Sequence, residues 1–338
     1  MPFIDRIRKY KSLSIVGLEK NTGKTECLNY VLRRMAQTQT QVAVTSIGID
    51  GERVDLIKST PKPEIYVEPG MYFTTLSRYY LEKRFCAEIC EVDNDSAVSG
   101  GLVTARALEK GKIVLAGPSD TVSLARWVEQ APLKWHVGLA LVDGALSRMS
   151  LASPAVTEAM ILTTGAAYSA NMSRLLGRTR FVYDTLCLPA VPKELAGRLG
   201  EVVRGVWAVD ERSELKDLGI HSALYVQDVT KIIHSGERRI YIPGVVSNTL
   251  LDKLGHQKEV SGMELIIRDF SRLFTEPDIF YRFLKEGGKI STVLQTNLIA
   301  VCINPWSPEG YHLNARELEK RMQEVLGLPV YNIKRLER

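Results

Sequence analysis

Short apolar runs separated by longer mixed stretches dominate the first half of the chain. Leu13, Ile15 and Val16 lead into Gly17, and Val42–Ile49 (VAVTSIGI), Ile113–Ala116, Val137–Val142 (VGLALV) and Met160–Gly165 (MILTTG) repeat the pattern. Runs of small and apolar residues, rather than strict alternation, mark strands buried on both faces of a parallel sheet. The stretches between them read as helices: Glu26–Met35, Tyr79–Glu91, Gly100–Lys110, Val122–Gln130 and Ala166–Arg178. Strand and helix in alternation predict an α/β fold, a doubly wound, mostly parallel sheet of about five strands. Ser59–Gly70 (STPKPEIYVEPG) interrupts this rhythm with prolines and a glycine and is expected to be extended.

Cys187–Pro192 (CLPAVP) is the expected boundary, dividing the chain into residues 1–187 and a second, smaller α/β region at 193–338. In that region Ser222–Gln227, Arg239–Pro243, Glu264–Arg268 and Asn297–Cys302 read as strands. Val229–Gly236, Asn248–Leu254 and Ala315–Leu326 read as helices, with Val330–Ile333 closing the chain.

Composition narrows the classes. At 338 residues the chain can bury a substantial core without staples. The net charge of +5 is spread along the chain with no basic arm, so a solvated basic surface is expected and nucleic acid is not an expected partner. The longest apolar run falls short of the roughly 18 residues a membrane span needs. The cysteines (Cys27, Cys86, Cys90, Cys187 and Cys302) are odd in number, which suits a reduced, cytoplasmic protein better than a disulfide framework. Cys86 and Cys90 stand four apart on an expected helix, but a metal site there would need two further ligands. The clustered tyrosines Tyr66, Tyr72, Tyr79 and Tyr80 suit a buried flap better than base stacking.

The strand ends carry the chemistry. Gly17-Leu-Glu-Lys-Asn-Thr-Gly23-Lys24-Thr25 follows the first strand and opens the first helix, the order a phosphate-binding loop requires. Loop N–H groups and the helix N-terminus would converge on an anion. Gly17, Asn21, Thr22, Gly23, Lys24, Thr25 and Glu26 are therefore the expected ATP or GTP contacts, with Lys24 reaching the β- and γ-phosphates and the Thr25 hydroxyl holding Mg2+. The fold expected is accordingly of the P-loop NTPase type. The alternative is a turn that merely spells GKT. The spacing is one residue longer than G-x-x-x-x-G-K-[ST], since Leu18 stands where the first glycine would fall. Asp50, at the end of the second strand, is a candidate for Mg2+ or its attacking water, against a simple Asp50-Gly51 turn. Asp143, closing VGLALV, stands where a Walker B carboxylate binds Mg2+. Ser119 and Asp120 are equally read as helix caps or ligand contacts. Arg148 and Ser150 could approach phosphate or a partner.

The loop length resembles that of dethiobiotin synthetase. The longer blocks GLEKNTGKTE, TSIGIDGER, TPKPEIYV, GPSDT, LVDGALSR, SLASPAV and TTGAA, between about Ile15 and Ala167, resemble the small subunit of the reactivase that serves adenosylcobalamin-dependent lysine 5,6-aminomutase. The resemblance implies a helper coupling nucleotide binding or hydrolysis to release of damaged cobalamin. Its implied partners are the aminomutase and an ATPase related to the mismatch-repair MutS proteins. Whether this chain is itself an ATPase is left open by the residues. Two other readings stand beside it. An ATP-dependent ligase of the dethiobiotin synthetase kind fits the loop but lacks the lysine expected after the second strand, where Ser46-Ile-Gly-Ile-Asp50 stands. A nucleotide fold kept only for protein contacts is the other, with intact Lys24 and Thr25 speaking against lost binding.

Overall fold

The computed structural model describes residues 3–47, 64–93, 100–145, 153–225 and 229–336, with the side chains of Ala145 and Tyr225 left out. Its strands are β1 (Ser12–Gly17), β2 (Val42–Ser46), β3 (Ile65–Val67), β4 (Tyr72–Leu76), β5 (Ala87–Asp93), β6 (Leu102–Ala107), β7 (Gly111–Ile113), β8 (Leu139–Ala145) and β9 (Ala159–Gly165). They continue with β10 (Val206–Val209), β11 (Leu215–Ile220), β12 (Arg239–Ile242), β13 (Val246–Ser247), β14 (Glu264–Ile267), β15 (Leu273–Phe274), β16 (Lys289–Thr292), β17 (Asn297–Asn304) and β18 (Val330–Asn332). The chain forms two compact units, one of Met1–Thr179 with Asn297–Arg338, the other of Arg180–Thr296.

The first unit is mixed α/β, built on a nine-stranded sheet in the order β18-β17-β9-β1-β8-β2-β4-β6-β5. Pairing is parallel from β18 to β4 and antiparallel through β6 and β5. β1 lies between β8 and β9 and is buried throughout, as its apolar run requires. Alternate residues of β8 face opposite ways. Leu139 and Leu141 join Leu13, Ile15 and Ile161 against the helix Lys24–Ala36. Ala140 and Val142 join Ala43 against Leu124, Val128 and Ala131 of the helix Thr121–Trp135. The sheet is thus covered on both faces. At 13 residues the helix Lys24–Ala36 would be marginal alone. Burial of Leu28, Val31 and Leu32, about 2 kcal/mol each, is what secures it.

The helix Thr121–Trp135 is started by Asp120, whose carboxylate accepts a 2.9 Å bond from the Ser123 amide. That bond holds the Asp120 carboxyl below the usual carboxylate range. The cap therefore stabilises the fold above the ordinary aspartate pKa, and its contribution is lost as pH falls through the depressed value. Asp120→Ala is expected to cost about 1 kcal/mol in urea unfolding at neutral pH. The deficit should fade in acid, and a pH-independent deficit would show that something other than the charged cap is at work.

Several expectations need correction. Gly100–Lys110 is not a helix but contains β6, whose Val103 and Thr104 suit a strand held between β4 and β5. Tyr79–Glu91 divides into the short helix Ser77–Glu82 and the edge strand β5, so Cys86 and Cys90 share no helix face, and both are exposed. In place of a parallel strand at Ile113–Ala116, β7 pairs antiparallel with β3, leaving Leu115 and Ala116 buried outside any strand. The helix after β9 starts at Met172 and runs to Leu186, and Ala223–Tyr225 is a 3-10 turn rather than a strand.

The expected division at 187/193 also differs from the structure, because Asn297–Arg338 returns to the first unit. β17 covers the open edge of β9, pairing from Asn297↔Ala159 to Asn304↔Gly165, and β18 adds beside it. The fully buried strand β9 pairs with β1 on one side and needs a neighbour on the other, which residues after the second unit supply. The second unit is a smaller α/β body with the sheet order β11-β10-β12-β14-β16. Its β12, β14 and β16 are parallel and joined through the helices Asn248–Gly255 and Pro277–Lys285.

Candidate functional site

The site is built where β1 ends. The Leu18 amide donates to the Thr163 carbonyl of β9 at 2.8 Å, tying the start of the loop to the neighbouring strand. Thr22 is fully buried, donating its hydroxyl to the Glu19 carbonyl at 2.9 Å and lying 3.2 Å from the Thr163 hydroxyl. Asn21 (φ 62°) and Gly23 (φ 94°) adopt the left-handed conformation that folds the loop back onto the helix start.

The helix begins at Lys24 with Gly23 as its N-cap, which has no side chain to occupy the first amides. Cys27 N–H to Gly23 O, at 3.0 Å, is the first turn's closing bond. The amides before it have no acceptor within the helix and carry the positive end of its dipole. Lys24 does not run out from this turn. A Cβ on Gly17 would lie 2.8 Å from Lys24 Cγ and Cδ and 2.7 Å from Thr22 Oγ1, so the lysine stem crosses directly over Gly17. Only a residue without a side chain leaves room for that crossing. The sequence-predicted contacts Gly17, Asn21, Thr22, Gly23, Lys24, Thr25 and Glu26 thus fall in one continuous strand, loop and helix junction.

Asp143 lies on β8, opposite Ile15 of β1 on one side and Ser46 of β2 on the other. It is only 1% exposed. Being two residues beyond Leu141, it projects from the same sheet face as the helix Lys24–Ala36. A hydroxyl at the helix start (Thr25) and a buried carboxylate on that face are hard oxygen donors suited to Mg2+. Asp50, the other expected carboxylate, lies outside the described residues, as do Arg148 and Ser150. Asp120 caps its helix, and Gly117 presses on the end of β2, where a Cβ would stand 2.1 Å from the Ser46 carbonyl. No group of three His, Cys, Asp or Glu among the described residues could hold a metal ion by itself.

Asn304, at the end of β17, was not among the expected site residues. Its side-chain amide donates to the Asn21 carbonyl at 3.2 Å, and its backbone carbonyl accepts from the Ala166 amide at 2.8 Å. Its Cβ lies 3.0 Å from where a Cβ on Gly23 would stand. Gly23, Glu26, Asn304 and the chain at Ile333–Lys334 line a small, shallow hollow beside the helix start. The signal that picks out Asp143 was present here as well: NLIAVCI is an apolar strand closing on a polar residue.

No helix among the described residues is long and apolar enough to cross a membrane. No protein-family model, curated protein or solved structure matches this chain.

Proposed function

We propose that this chain is the nucleotide-binding component of a reactivating factor for an adenosylcobalamin-dependent aminomutase, with Gly17–Thr25 a phosphate-binding loop of the P-loop NTPase type. The observation that carries the nucleotide reading is the crossing of Lys24 over Gly17 beside a helix start capped by glycine. The loop amides and the lysine then meet the same phosphates. Mg2+ fits the donors present: Thr25 and Asp143 would hold it, and the ion would neutralise charge on the β- and γ-phosphates. Nucleotide binding and hydrolysis would favour different arrangements of the loop at successive steps, which is how a helper can drive another protein's rearrangement. The choice of client rests on the resemblance of the blocks between Ile15 and Ala167 to the aminomutase reactivase.

The test is reconstitution. A cobalamin-inactivated lysine 5,6-aminomutase, given this chain, the MutS-like ATPase, Mg2+ and ATP, should regain turnover with fresh adenosylcobalamin. The same mixture with Asp143→Asn should not. Failure of the wild-type mixture would remove the reactivase role, and equal recovery with Asp143→Asn would remove the metal role of Asp143.

A further inference from the structure

We infer that Cys27 and Cys302 form an oxidation-sensitive latch, in which a disulfide between the helix Lys24–Ala36 and β17 weakens nucleotide binding on the neighbouring loop. Formation of the disulfide stands on its own geometry, and its effect on binding rests on the phosphate-loop reading. The two thiols are 275 residues apart in the chain, yet their sulfurs lie in contact at 3.8 Å. Both are buried and free. Cys302 is held from both sides, paired with Thr163 of β9 and with Tyr331 of β18. Cys27 closes the turn that carries Lys24 and Thr25, its amide donating to the Gly23 carbonyl at 3.0 Å. A lone buried cysteine serves as a small apolar side chain. A facing pair beside a ligand loop has a second use, because one covalent bond there ties the loop's helix to the sheet.

A small oxidant can reach the pair. Cys302 lines the hollow beside the helix start together with Thr22, Gly23 and Glu26, and the hollow has room for about one water. Hydrogen peroxide is close to that size. The Cys302 thiolate attacks one peroxide oxygen, the O–O bond breaks, and the departing hydroxide takes up the thiol's proton as water, leaving a sulfenic acid. The Cys27 thiol then attacks the sulfenic sulfur, the S–O bond breaks, and the hydroxyl leaves as water with the Cys27 proton. The two thiols have lost two electrons, and one peroxide has become two waters. Burial, with Cys27 beside it, pushes the Cys302 thiol well above its ordinary pKa, so thiolate is scarce and the first step is slow. The latch therefore answers sustained rather than brief exposure. A disulfide holds its sulfurs about 2.05 Å apart, so from 3.8 Å they must close by roughly 1.8 Å. β17 is braced by a strand on each side, so the helix start gives way and carries Lys24 and Thr25 out of place for the phosphates.

The experiment takes the full chain with the exposed Cys86, Cys90 and Cys187 changed to serine, treats it with hydrogen peroxide, and follows it by peptide mass mapping and Mg2+-ATP titration. The map is expected to show the Cys27 and Cys302 peptides joined with the loss of two hydrogens and separated again by dithiothreitol. The oxidised chain should bind Mg2+-ATP at least about fivefold more weakly than the reduced chain, the lower end of coupling between two sites, and dithiothreitol should restore the affinity. Saturating Mg2+-ATP should in turn disfavour the cross-link, since the coupling is reciprocal. Cys302→Ala, or Cys27→Ala should the first fail to fold, is expected to bind Mg2+-ATP equally before and after peroxide. Thiols that stay free under prolonged peroxide, or a Cys302 oxidised beyond sulfenic acid with no cross-link, overturn the latch. A cross-link that leaves Mg2+-ATP affinity unchanged overturns the control of binding while the phosphate loop stands. A reduced chain that binds no Mg2+-ATP overturns the phosphate loop, and the control of binding with it, whether or not the cross-link forms.

Discussion

Lys24→Ala should lower affinity for Mg2+-nucleoside triphosphate by on the order of 10- to 100-fold, the loss expected when a charged donor to phosphate is removed. The chain itself should fold as before. Lys24 is only half-buried and its stem lies over a glycine, so truncation empties no core. The two effects separate in one thermal experiment. Nucleotide at 100 times its dissociation constant stabilises a protein by about 2.7 kcal/mol. Wild type should show the corresponding rise in melting temperature, and Lys24→Ala, for which the same concentration is only about 1 to 10 times its dissociation constant, should be stabilised by about 0.4 to 1.4 kcal/mol. Lys24→Arg should not restore the response, since a planar guanidinium cannot follow the ammonium's path across Gly17. Equal stabilisation of wild type and Lys24→Ala would show that the nucleotide binds without the loop.

Gly165→Ala should have a large effect on the fold. A Cβ there would meet the Asn304 carbonyl oxygen at 2.1 Å and its carbon at 2.9 Å, both backbone atoms that cannot swing away. That carbonyl is held by the Ala166 amide, and the two residues are paired partners at the end of β9 and β17. Relief requires β17 to move off β9 at its last residue, at a cost of about 3 kcal/mol. The shift also carries Asn304 away from Asn21, so nucleotide affinity should fall under conditions where the variant is still folded. Urea unfolding and nucleotide titration measure the two consequences separately. A variant with wild-type stability would mean that the end of β17 yields easily.

The central strands and the loop were legible because they obey a local rule. β1, β2, β8 and β9 are built on runs of small and apolar residues that lead into glycine or a polar group, and a parallel, doubly covered sheet produces that pattern directly. The helix Ala315–Leu326 was equally plain, with Asn314 accepting from the Arg316 and Glu317 amides ahead of an amphipathic run. What escaped was non-local. Nothing in NLIAVCIN tells that it pairs with β9 rather than with the strands just before it, so the chain's return to the first unit at Asn297 was hidden. β5 and β6 escaped for a different reason. β5 is an edge strand with a mostly exposed burial pattern, and its charged residues resemble those of a surface helix. Asn304 was missed because its role depends on that same long-range pairing.

The central claim is that a nucleoside triphosphate binds on the junction of β1 and the helix Lys24–Ala36. Hydrogen–deuterium exchange with and without Mg2+-ATP tests it most directly, because the amides said to bind phosphate are the ones observed. Protection should concentrate in Leu18–Asn29. No change in Leu18–Asn29 at saturating ATP, or protection confined to Arg180–Thr296, would contradict the account.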